Sequence, residues 1–125
     1  MSEQSGGSRS AAGATEMLSP ARFEEELRRV ARFRPRVPVG DPLDMAVKKI
    51  EQNPAFTQSR LLTRILTALA HREGEFRRAE LSALDVASLD IVIALMDACA
   101  AGTSTRDDWV RAVDAAQAAQ LGAGG

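Results

Sequence analysis

The chain has one histidine, one cysteine and almost no net charge, and each shortage removes a class of function. A single cysteine, Cys99, excludes an internal disulfide. Cys99 and His71 together cannot supply the ligands of a typical zinc site. Acid–base catalysis usually draws on a histidine or on paired carboxylates held in a pocket. His71 falls near a helix end, where the helix dipole favours a cation. The acid pair Asp107-Asp108 falls in the first turn of a helix, where capping accounts for it. A Gly-rich phosphate loop is missing: Gly6-Gly7 and Gly124-Gly125 stand in the tails, not between a strand and a helix. No catalytic, cofactor-binding or metal-binding residue is therefore assigned, and the chain reads as a non-enzyme.

The net charge of −1 sets up no global field that would select a polyanion or a polycation. No apolar run approaches the roughly 18 residues that a bilayer span requires. The first residues lack the charged-then-apolar pattern of a secretory leader. The lone thiol lies in the apolar run IVIALMDAC and reads as a buried structural group. These features together predict a cytoplasmic protein with no membrane partner.

What is present suits one modest core: 125 residues, 45% of them hydrophobic. Residues 1–16, rich in Ser, Gly and Ala, read as a disordered tail. Residues 17–40 read as an N-terminal helix and a Pro-rich connector, and residues 41–121 as a helical bundle domain. The expected fold is all-α, a small bundle of four or five helices with an additional N-terminal helix on the connector.

The first helix is expected from Pro20 to Phe33, with Ser19 as N-cap and proline at the first position. Its acids come early and its arginines late, which complements the dipole. Phe23, Leu27 and Val30 form a narrow apolar stripe at i, i+4, i+7. They are the candidate partner-binding residues; the stripe suits packing on this chain's own body or on a second copy. In RPRVPVG (Arg34 to Gly40) two prolines exclude helix and favour an extended hinge.

Asp41-Pro42 repeats the cap-then-proline signal and opens a helix to Gln52. A wide stripe of Leu61, Leu62, Ile65, Leu66 and Leu69 marks a core helix, starting at Pro54 or Thr57 and ending at Arg72. A turn and a short helix from Arg77 to Leu84 follow, with Phe76, Leu81 and Leu84 inward. Asp85 caps the most apolar helix (Val86, Leu89, Val92, Ile93, Leu95, Met96), which Gly102 ends. Thr105 and Asp108 form an approximate capping box for a last helix to Gln120.

Charge is polarised along the chain. Residues 22–36 hold six Arg against three Glu and residues 60–78 five Arg against two Glu, each a net +3. Residues 80–114 hold seven acids against two Arg, a net −5. Fourteen Arg with two Lys, beside abundant Ala, fit a GC-rich coding bias, so the Arg count alone does not argue phosphate binding. The candidate nucleic-acid-binding residues are Arg60, Arg64, Arg77 and Arg78, as an Arg-rich helix face and the turn after it. The stretch from Ala79 to Met96 has the rhythm of a helix-turn-helix, but its second helix, SLDIVIALMDA, carries two Asp and no cation and would repel phosphates.

Residues 57–85, TQSRLLTRILTALAHREGEFRRAELSALD, combine Gln58-Ser59-Arg60, an apolar stripe, Phe76, Glu80-Leu81 and Leu84-Asp85. The pattern resembles a group of small proteins encoded on conjugative plasmids and integrative elements of proteobacteria. It covers about a quarter of the chain, and the first helix lacks the further aromatics of that group. The resemblance implies a mobile-element accessory protein and brings no activity with it. Physically, the pattern also suits a structural role, with Gln58 or Ser59 capping and Arg60 paired to Asp85 or Glu80. The expected function is a non-enzymatic protein–protein interaction or adaptor module, with a protein partner or a second copy. The alternative is a small DNA-associated accessory or regulatory protein that uses the Arg60 face.

Overall fold

The computed structural model describes residues 16–34 and 38–124. Residues 1–15 of the expected tail (1–16) and the middle of the hinge (35–37) lie outside the described residues, while Glu16 is described and ordered against Arg78.

Four of the five α-helices among the described residues start at a side chain that takes up an amide the helix start leaves unpaired. The Oγ of Ser19 accepts from Arg22 N–H at 3.2 Å to open α1 (Pro20–Ala31). Asp41 accepts from the Leu43 amide at 3.1 Å to open α2 (Pro42–Gln52). The next helix, α3 (Thr57–His71), follows Phe56 and has no side-chain cap. Asp85 accepts from the Ser88 amide at 2.8 Å to open α4 (Val86–Ala101). At α5 (Arg106–Gly124) the box is reciprocal: the Thr105 hydroxyl accepts from the Asp108 amide at 3.1 Å, and the Asp108 carboxylate from the Thr105 amide at 2.9 Å. Gly102 closes α4 in the left-handed region at φ 66°, which costs glycine nothing.

The fold is all-α. Helix α4 is the most apolar of the helices, buries Leu89, Val92, Ile93, Leu95 and Met96, and is contacted by α1, α2 and α3. The wide stripe of α3 is buried as its width requires, and α5 lies across α2 and α3 through Trp109, Val113 and Ala116. Val86, one of the apolar set that marks this helix in the sequence, is 53% exposed, whereas Ser88 and Leu89 in the same turn are buried.

Helix α1 docks on this body. Phe23, Leu27 and Ala31 are buried, and Val30 is half-buried against the same core. The Phe23 ring stacks on Phe76, centroids 4.1 Å apart and planes 12° from parallel. One continuous core therefore runs from Leu18 to Ala116, with no break at residue 40. Burying Phe23 and Leu27 is worth roughly 1.5–3 kcal/mol each.

A strand pair that the periodicity does not show completes the docking. Strand β1 (Met17–Leu18) runs antiparallel to β2 (Phe76–Arg77), with Leu18 opposite Phe76. The short helix expected from Arg77 is this strand followed by a 3₁₀ helix, Arg78–Ser82. No helix among the described residues is long and apolar enough to cross a membrane.

Candidate functional site

The residues singled out in the sequence meet where α3, β2, the 3₁₀ helix and the start of α4 come together. The Gln58 side chain clamps Asp85 from both sides. Its Nε2 donates to Asp85 Oδ2 at 3.0 Å, and its Oε1 accepts from the Asp85 amide at 2.8 Å. Asp85 also accepts from Ser88, so one glutamine holds the cap of α4 to the first turn of α3. Partial burial pushes the Asp85 carboxyl up, but the Ser88 and Gln58 hydrogen bonds outweigh it and hold the group below its ordinary value.

Two turns along α3, Arg64 binds Glu80 through both of its terminal nitrogens and donates to the Glu75 carbonyl at 2.7 Å. Its guanidinium carbon lies 5.0 Å from the centre of the Phe76 ring, on whose stack α1 also rests. Glu80 accepts the Arg77 amide at 2.7 Å as well. Burial works to raise the Glu80 carboxyl; the bonds from Arg64 and Arg77 overcome this and lower it. Arg78 joins Glu16 at 2.9 Å and Glu26 at 3.7 Å, tying the 3₁₀ helix to the segment before β1 and to α1.

This geometry divides the four candidate nucleic-acid residues. Arg64 and Arg78 are occupied by internal carboxylates. Arg60 and Arg77 are exposed, and their side chains make no ion pair among the described residues. The partnership expected of Arg60 with Asp85 or Glu80 is not formed: Gln58 takes Asp85 and Arg64 takes Glu80. Arg60 and Arg64 stand one turn apart on one face of α3, and it is the arginine of the later turn, Arg64, that reaches Glu80 and the Glu75 carbonyl. The candidate partner-binding residues Phe23 and Leu27 are closed to a partner by this chain's own core.

Gln58 as a capping group and Glu80 as an arginine acceptor are readable in the sequence, but Arg64 as the donor to Glu80, and Glu16 and Glu26 as acceptors for Arg78, are not. A further readable signal is Glu80 three residues after Arg77, a helix-start spacing.

An open cavity of about 410 Å³ adjoins the cluster, lined by Thr63, Thr67, Gly74, Phe76 and Gln117 among others. Its polar rim is internally bonded: Thr63 donates to the Ser59 carbonyl and Thr67 to that of Thr63. His71 is exposed on the last turn of α3. Cys99 is half-buried, with Arg72 Nη2 3.9 Å from its sulfur. Among the described residues no group of three His, Cys, Asp or Glu side chains is placed to hold a metal ion.

Large apolar groups do remain in solvent at one end of the bundle. The Gln58–Asp85 clamp brings the start of α3 to the start of α4, and Gln120 donates to the Pro54 carbonyl at 2.8 Å, bringing in the end of α5. At this end Phe56 is 61%, Val86 53% and Leu121 77% exposed. Comparison with protein-family models, curated proteins and solved structures gave no match to this chain.

Proposed function

We propose that this protein is a non-enzymatic interaction module, an adaptor that docks another protein through the apolar end of its bundle. The observation that carries the reading is the exposure of Phe56, Val86 and Leu121 together at one end of the bundle. The use of the strongest polar groups as internal fasteners supports it, because Gln58, Arg64, Arg78, Glu80 and Asp85 are committed to holding the fold. The resemblance of residues 57–85 to plasmid and integrative-element proteins supports a place among the cytoplasmic accessory proteins of such an element, with conjugation as its setting. A second copy of the chain is the first partner to test. The DNA-associated reading loses support on the Arg60 face, since Arg64 and Arg78 interrupt it with neutralised charge.

The test is capture from the native host with wild-type protein and with Phe56→Ser/Leu121→Ser, with light scattering of both. The adaptor reading expects a retained protein, or a wild-type dimer, that the double variant loses while its melting temperature holds. Identical capture and identical mass for the two proteins would sink it.

A further inference from the structure

Residues 27–40 contain five Arg and neither Asp nor Glu. At the end of α1, Arg28 is paired with Asp97 at 2.9 Å. Arg29 is 65% exposed and reaches Glu26 only at 3.9 Å. Arg32 and Arg34 are exposed, and their guanidinium groups make no ion pair among the described residues. Between them stands Phe33, 82% exposed, more than any other large hydrophobic residue described. Arg28, Arg32 and Arg34 also rim a cavity of about 340 Å³ floored by Ala31 and Ile93.

We propose that the end of α1 binds single-stranded nucleic acid, with a base stacked on Phe33 and adjacent phosphates held by Arg29, Arg32 and Arg34. A solvent-facing ring between two uncommitted guanidinium groups matches the two needs of a sequence-tolerant strand: a stacking platform and cations that follow the backbone. Three features select this ligand over other polyanions. The apolar face of α1 is turned into the core through Phe23, Leu27 and Ala31, so the helix has none left to lay in a lipid interface. A duplex lying along α1 would meet Glu24 and Glu25 within two turns of the arginines, whereas a single strand needs only the helix end. An acidic peptide would be served by the arginines alone and gives the exposed ring no role. The surface lies over the middle and last turns of α4, away from Val86, and stands independently of the apolar end.

The experiment is fluorescence polarisation of the full chain with a labelled oligothymidylate of about twelve nucleotides, from about 50 to 200 mM salt. Binding should weaken with salt, and Arg32→Ala/Arg34→Ala should flatten the log–log slope by about 1.4, or about 0.7 for each phosphate no longer neutralised. Phe33→Ala should weaken binding roughly tenfold and leave the slope unchanged. Arg60→Ala/Arg77→Ala should leave affinity as it is. All these side chains are exposed, and far-UV circular dichroism verifies that each variant is folded. The proposal is overturned by no binding at low salt, by equal affinity for duplex of the same length, or by unchanged affinity in Phe33→Ala. It is equally overturned if phosphatidylserine vesicles or polyglutamate compete better than unlabelled oligothymidylate, or if the Arg60/Arg77 pair carries the loss.

Discussion

Two stretches of the chain, residues 22–36 and 60–78, carry the same net charge of +3 and meet different fates in the fold. In the second, Arg64 and Arg78 are taken up by Glu80, Glu16 and Glu26, leaving Arg60 and Arg77 as separated single charges. In the first, Arg28 reaches the distant Asp97, and the arginines beyond it collect at a helix end with an exposed ring among them. Local charge therefore does not locate a charged face. The acids that topology delivers from elsewhere decide which arginines become fasteners and which remain available.

The ring pair that joins the two stretches offers the largest effect. Phe23→Ala should cost about 3–4 kcal/mol in urea denaturation, since it empties a fully buried site and removes the stack on Phe76. A loss under about 1 kcal/mol would mean that α1 is not anchored there. Next is Arg64→Ala, expected to cost about 1–2 kcal/mol, because it leaves the mostly covered Glu80 carboxylate short of its main partner. A double-mutant cycle with Glu80→Ala should recover a coupling of about 1 kcal/mol; zero coupling would make the pair ornamental.

Titration checks the fasteners without mutation. Glu80 and Asp85 lie below their ordinary values of 4.5 and 3.8, so the folded chain binds their protons less readily than the unfolded chain does. Their contribution is complete above those ordinary values and is lost as pH falls through the lower folded ones. Glu24 acts in the opposite sense. Burial raises it against the pull of Arg72 and Arg28, so its ionised form opposes folding and its protonation returns some stability in acid. The melting temperature should hold from neutral pH to about 5 and fall below that. Glu80→Gln should flatten the acid limb, and an unchanged limb would remove Glu80 from the account.

The smallest effects belong to the uncommitted arginines. Arg60→Ala and Arg32→Ala should each change stability by less than about 0.5 kcal/mol, read from thermal melts. A large loss at Arg60 would restore the pairing with Asp85 or Glu80 that the fold assigns to other residues.

Features legible in the sequence were those whose cause lies within one turn of the chain. Ser19, Asp41, Asp85 and the Thr105–Asp108 box act on amides two or three residues away, and Gly102 acts on its own backbone. The all-α fold follows from these caps and from the stripes between them. The strand pair was not legible, because two residues carry no periodicity and Leu18 meets its partner Phe76 far along the chain. The docking of α1 stayed open for a related reason: a stripe of Phe23, Leu27 and Val30 does not say whose surface covers it. At the candidate site the residue types were readable in Gln58, Glu80 and Asp85, but Arg60 and Arg64 share one helix face, and which of them pairs depends on which turn of α3 lies beside Glu75 and Glu80.

The partner of Phe23 lies 53 positions further along the chain. At roughly 5–20 residues per second of synthesis, the ribosome needs about 3–10 s to make that stretch. The same delay separates the emergence of Phe23 from that of Phe76, and during it Phe23 lacks its stacking partner. The nascent chain thus carries for seconds an unstacked ring that the finished protein hides, and this is the window in which a chaperone, or a neighbouring chain on the same message, would meet it.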